Sequence, residues 1–246
     1  MPADSLTFVI LLISGALLGL SKTGIPGVAI LAVALMAYVF PNDTKMSVGV
    51  VLPILIFCDF FAIAWYRRDA DWHGLWRMFP FVVAGILPAW WLLGRLPDHV
   101  FRIGLGAMIL VLLAMEWGRR RLAIDLQPKS GVFTGVMGVL AGFSSTIANA
   151  GGPVMTIYLL SRGMDKTRFV GTCAWFFFLL NLSKVLPTWD QGLITTETLM
   201  LNLWMLPTAL IGVFAGIWIL PRIDQRRFEQ IVWTLTAVSA VMLIVK

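Results

Sequence analysis

The stretch GLSKTGIPG, residues 19–27, decides how this chain is read. Apolar runs flank it on both sides, residues 6–20 and 28–40, yet it carries a lysine, Lys22, between two hydroxyls, Ser21 and Thr23. Three glycines (Gly19, Gly24 and Gly27) and Pro26 complete it. In a soluble protein such a stretch would be a surface turn. The sequence around it argues for a different setting.

Composition gives the first reason. Hydrophobic residues make up 59% of the chain and charged residues 13%. A soluble domain carries roughly 25% charged residues, so most of this surface faces lipid. Runs such as MSVGVVLPILIFCDFFAIAWY (46–66), FRIGLGAMILVLLAMEW (101–117) and MLNLWMLPTALIGVFAGIWIL (200–220) approach or reach the length of about 20 residues that spans a bilayer as a helix. None has the period-2 alternation of a membrane barrel. The expected fold is therefore an all-α polytopic membrane protein. Its net charge of +6 is not a nucleic-acid footprint, because Lys and Arg gather in the cytoplasmic loops of such proteins. Cys58 and Cys173 both fall in apolar helices, which indicates neither a disulfide nor a metal site. Only Asp4 precedes the first apolar run, without the basic flank of a signal peptide, so that run is expected to be retained.

The chain reads as two copies of one unit. GALLGLSKTG (15–24) matches GVLAGFSSTI (138–147), and DTKMSVG (43–49) matches DKTRFVG (165–171). Asp59 falls opposite Asn181, and FPFVVAGILPAWWLLGR (79–95) aligns without gaps on LPTALIGVFAGIWILPR (206–222). The expected repeats are residues 1–120 and 121–246, in one membrane domain. Apolar segments lie at about 6–20, 28–40, 46–66, 78–93 and 100–117, and again at about 131–143, 153–160, 168–188, 199–220 and 228–245. The second segment of each copy is too short to cross a core of about 30 Å, so the first two are expected to form a re-entrant or broken helical hairpin. Three further crossings per copy, an odd number, invert one copy relative to the other. Charge agrees. Thirteen Lys and Arg, among them Arg67, Arg119, Arg162, Arg168 and Arg226, fall on one face, and Lys45, Arg95, Arg102 and Lys246 on the other. The positive-inside rule then puts both termini on the non-cytoplasmic side.

Inverted repeats with broken helices bind their substrates near the bilayer midplane. Both hairpin turns have the makings of an anion cradle: a short helix opening on Gly and Pro, preceded by hydroxyl side chains. The expected binding residues are Ser21, Lys22, Thr23, Gly24 and Gly27 from one turn, and Ser144, Ser145, Thr146, Asn149, Gly151 and Gly152 from the other. Small residues at these spacings also serve simply to let helices pack closely, and Lys22 could instead snorkel to a surface. Asp59, an acid inside LPILIFCDFFAIAWY, is a functional candidate by default. It is read as a proton-coupling group or as one half of a helix-locking pair with Lys22 or Lys184. Lys184 itself, shortly before Pro187, is read as a snorkelling residue at the outer end of its helix.

The duplicated pattern G-x-x-x-G-[LF]-S-x-T, followed by Gly/Pro and a short apolar helix, resembles the sulfite exporter TauE/SafE family over essentially the whole chain. The resemblance implies a secondary transporter of sulfite, sulfonates or related small organosulfur or organic anions across the bacterial inner membrane. It implies no enzyme activity, no cofactor and no metal. The expected partners are a small anion and the lipid bilayer, with no nucleic acid; the oligomeric state is left open. That family's first hairpin is typically richer in glycine than this one, where a lysine stands in the turn. A related thiosulfate group relies on several pathway cysteines, a mechanism that two cysteines at unmatched places do not support. A passive anion channel and, more remotely, an intramembrane enzyme are the alternatives; the enzyme lacks H-E-x-x-H, G-x-S-x-G and a second buried acid.

Overall fold

The computed structural model describes residues 5–25, 28–40, 44–66, 68–93, 95, 97, 107, 110, 114, 130–149 and 151–245. Gly27, Pro26 and nearly all of the apolar segment expected at 100–117 lie outside the described residues. Within them the chain is helical throughout: α1 (Ser5–Thr23), α2 (Ala29–Val39), α3 (Thr44–Tyr66), α4 (Trp72–Leu93), α5 (Gly131–Ala148), α6 (Gly151–Ser161), α7 (Lys166–Asp190), α8 (Thr196–Ile219) and α9 (Gln225–Val245). Among the described residues, five helices are long and apolar enough to cross a membrane: Ser5–Thr23, Met46–Tyr66, Trp72–Leu92, Lys166–Asp190 and Thr196–Arg222. The chain is a multi-pass membrane protein.

Helix starts follow from local chemistry. Ser130 accepts from the Phe133 N–H to cap α5, and Asp165 accepts from Thr167 and Arg168 to cap α7. Thr195 and Thr198 form a reciprocal capping box at α8. The short second helices are present as expected. At 11 residues each, α2 and α6 measure about 16 Å, well under a bilayer core. α1, by contrast, is itself long enough to cross.

Two helix pairs dominate the packing, and both join the first half of the chain to the second: α1 lies along α8, and α5 along α4. The contacts are built alike. A Cβ added to Gly19 would stand 2.0 Å from the Ala209 carbonyl oxygen, and one on Gly212 2.0 Å from that of Ala16. At the other pair, a Cβ on Gly142 would stand 2.1 Å from the Val82 oxygen and one on Gly85 2.2 Å from that of Val139. Glycine at these crossings lets backbones touch, which is how helices associate in lipid, where hydrophobicity offers no driving force between them.

Between these pairs, α3 packs on α7, and the two run antiparallel. Gly49, near the start of α3, meets Leu193 just past α7. Thr172, near the start of α7, accepts from the Asp71 N–H just past α3. The outer surface carries exposed Trp65, Trp76, Trp91, Trp189 and Trp218. Arg95 stacks 4.2 Å from the Trp91 ring, and Arg222 stacks 3.8 Å from the Trp218 ring, so α4 and α8 each end in an amphipathic anchor of the kind found at membrane interfaces.

Candidate functional site

The two stretches expected to be turns are for the most part the last turns of helices. α1 continues through Ser21, Lys22 and Thr23, and α5 through Ser144, Ser145 and Thr146. Three of the hydroxyls donate back to carbonyls of their own helix, which satisfies them without a turn: Ser21 to Leu18, Ser144 to Ala141 and Thr146 to Gly142. Thr23 donates across to the Val213 carbonyl of α8 at 2.7 Å and also reaches its own Gly19 carbonyl. These four hydroxyls are thus engaged with backbone in this state. Gly24 packs against Gly216, as the close-packing alternative anticipates. Gly152, at the start of α6, has open space where a side chain would stand. Gly151 lies against Ser145.

What the helix ends converge on is an ionic cluster between the two halves. Lys22 is 8% exposed, and its Nζ lies 2.7 Å from Asp59 Oδ1 in α3 and 4.5 Å from the centre of the Phe177 ring in α7. It does not snorkel. Asp59 is fully buried, and its second oxygen accepts from Asn181 Nδ2 of α7 at 2.7 Å. The paired reading of Asp59 with Lys22 is therefore the geometry found, and its repeat counterpart Asn181 is the third member.

Lys184 corrects the sequence reading. α7 runs on past Pro187 to Asp190, so Lys184 lies well inside the helix, and it is 2% exposed. Its Nζ donates to the Ser145 carbonyl at 3.1 Å, to Ser145 Oγ at 3.0 Å and to Asn149 Oδ1 at 2.8 Å. Asn149 adopts a left-handed conformation (φ 50°) as it ends α5, a conformation asparagine tolerates. Its Nδ2 reaches the Val48 carbonyl of α3 at 3.5 Å. A signal for Lys184 was available: it follows Asn181 by three residues and so shares its helix face.

The electrostatics of the cluster are unusual. Three acceptors match the three N–H donors of an ammonium, which has no lone pair of its own. Among the described residues no carboxylate pairs with Lys184. A buried charge without an opposite partner costs several kcal/mol, a cost that a bound anion would offset. Asn181 Oδ1 is also buried and has no hydrogen-bond partner among the described residues.

A second ionic group lies at the end of the molecule where α3 gives way to α4. Asp71, just before α4, lies 3.1 Å from Arg162 and 3.7 Å from Arg168, and Arg162 donates to the Tyr158 hydroxyl at 2.8 Å.

Glycine-crossed spans, short broken helices and charges held at their tips define a polytopic helical membrane protein with a buried polar centre. The chain belongs to the family described as Sulfite exporter TauE/SafE, whose pattern it matches over residues 10–243. Neither a curated protein nor a solved structure matches it.

Proposed function

We propose that this protein is a secondary transporter of a small sulfur-containing anion, bound between the tips of α1 and α5 near the bilayer midplane. The observation that carries this reading is the burial of two lysines where the two halves meet, Lys22 on the Asp59 carboxylate and Lys184 on the neutral acceptors of Ser145 and Asn149. Membership of a sulfite exporter family supports the substrate class. Asp59 is the group that takes up and releases a proton. The N-terminus of α6, with open space at Gly152, adds unpaired N–H donors to the cradle. The protein is a transporter and not an enzyme, and its membrane is the bacterial inner membrane.

The architecture we infer is an inverted duplication, residues 1–120 and 121–246, with both termini on the non-cytoplasmic side. The reciprocal crossings of α1 with α8 and α5 with α4, together with the antiparallel α3 and α7, support it. In this reading α1–α2 and α5–α6 are the two hairpins, and transport moves one half against the other around the cluster.

The test is anion exchange in proteoliposomes, with sulfite, thiosulfate, sulfoacetate, sulfate and acetate offered to wild type and Lys184→Met. Saturable exchange of a sulfur oxyanion, abolished in the variant, is the expected result. Exchange of the same rate in both would remove Lys184 from the site. Flux that fails to saturate would favour a passive channel.

A further inference from the structure

We propose that the central cluster selects its anion by charge: one negative charge with Asp59 ionised, and two only when Asp59 carries a proton. This rests on the transport reading above and adds to it a rule for which anions pass. Lys22, Lys184 and Asp59 are buried together; with both lysines as ammoniums and Asp59 as a carboxylate they carry one net positive charge. Lys22 is already paired at 2.7 Å. The uncompensated charge is that of Lys184, held among the described residues by the neutral groups of Ser145 and Asn149.

A monoanion such as a sulfonate or hydrogensulfite neutralises that charge. A dianion overshoots it by one and leaves a net negative charge away from water, which a low-dielectric site penalises steeply. A proton on Asp59 raises the site to two positive charges and makes the dianion the balanced ligand. The proton comes from solvent and travels with the anion, so the loaded site is neutral in both cases.

The surroundings supply a place for the proton. Asn181 donates Nδ2 to the ionised carboxylate, while its Oδ1 is buried without a partner. With its amide turned over, that oxygen accepts from the protonated acid, and the amide N–H groups are freed as donors. The other charged and titratable groups near Asp59 are Lys22 of α1, Lys184 and Cys173 of α7, and the adjacent Cys58. α2 has no charged residue, and the one acid of α8, Glu197, is exposed at that helix's start, so Asp59 is the acid that sets the count among the described residues.

The experiment is the anion-dependent thermal stabilisation of the detergent-solubilised full chain by methanesulfonate, a fixed monoanion, and by sulfate, a fixed dianion, at matched ionic strength. At neutral pH the wild type should respond to methanesulfonate at concentrations on the order of a hundredfold lower than to sulfate. Acidification should narrow that ratio, and Asp59→Asn should invert it. Lys184→Met should lose the response to both. A wild-type preference for sulfate, or a ratio that neither acid nor Asp59→Asn moves while binding persists, overturns the charge rule and leaves the transport reading standing. Absence of any response to either anion in wild type would sink both. Because the wild-type ratio and its pH dependence need no substitution, the test survives a poorly folded variant.

Discussion

The ends of α1 and α5 share a packing pattern and differ in charge. At the tip of α1 the position after the first serine is Lys22; at the tip of α5 the matching position is Ser145. On the partner helices the matching pair is Asp59 in α3 and Asn181 in α7. One half therefore brings a lysine to an acid 2.7 Å away. In the other, Ser145 receives a lysine from α7. The helix crossings beneath them are nearly superposable in their contacts, with glycine against a carbonyl at 2.0 Å in one half and 2.1 Å in the other. Matched helix crossings thus carry asymmetric chemistry: close packing demands glycine at both places, whereas an acid stands at only one of the two matched positions.

If the scaffold is shared, substitutions at its matched positions should be equally damaging. Gly19→Leu and Gly142→Leu each drive a side chain into a neighbouring backbone, and each should cost about 5 kcal/mol or more. Loss of monodisperse protein on size exclusion is the expected readout for both. A well-folded variant at one position alone would break the equivalence.

The charged positions should respond unequally. Lys22→Met strands the buried Asp59 carboxylate and should destabilise by about 3–5 kcal/mol, with much of the loss recovered in Lys22→Met/Asp59→Asn. Lys184→Met removes an unbalanced charge and leaves acceptors on Ser145 and Asn149 without a donor, for about 2 kcal/mol or less. Melting temperatures of the three variants in one detergent would settle the order, and equal losses for the two single lysine variants would contradict it.

The two ends of the molecule offer a smaller contrast. Where α3 leads into α4, Asp71 binds Arg162 and Arg168; at the matching place after α7 stands a buried Leu193. Arg168 is 55% exposed, but Arg162 is 20% and the Asp71 side chain 8%, so solvent screens this tie only in part, and Asp71→Leu should destabilise by roughly 1–2 kcal/mol. Its transport rate should change more than its melting temperature if the tie opens during the cycle.

Much of this was legible in the sequence. Hydropathy marked the spans, the Gly/Ser/Thr pattern marked the ends of α1 and α5, and Asp59 marked itself as an acid among apolar neighbours. Two things were not. Ser21, Ser144 and Thr146 read as loop residues, because hydroxyls next to glycine favour turns, yet they lie in the last turns of α1 and α5 and return their hydrogen bonds to carbonyls of those helices. Lys184 read as a surface lysine because Pro187 suggested a helix end. Proline was tolerated inside α7, as spanning helices allow, and the lysine was left facing inward. Local pattern does not encode which way a long flexible side chain turns; the acceptors that hold Lys184 lie on α5, nearly forty residues upstream.

The most direct measurement is equilibrium binding of labelled sulfite to the purified wild type and to Lys184→Met. The account predicts saturable binding in the wild type and its loss in a variant that still melts cooperatively within a few degrees of it. Equal binding by both would mean that the buried lysine pair holds the helices together and that the anion binds elsewhere.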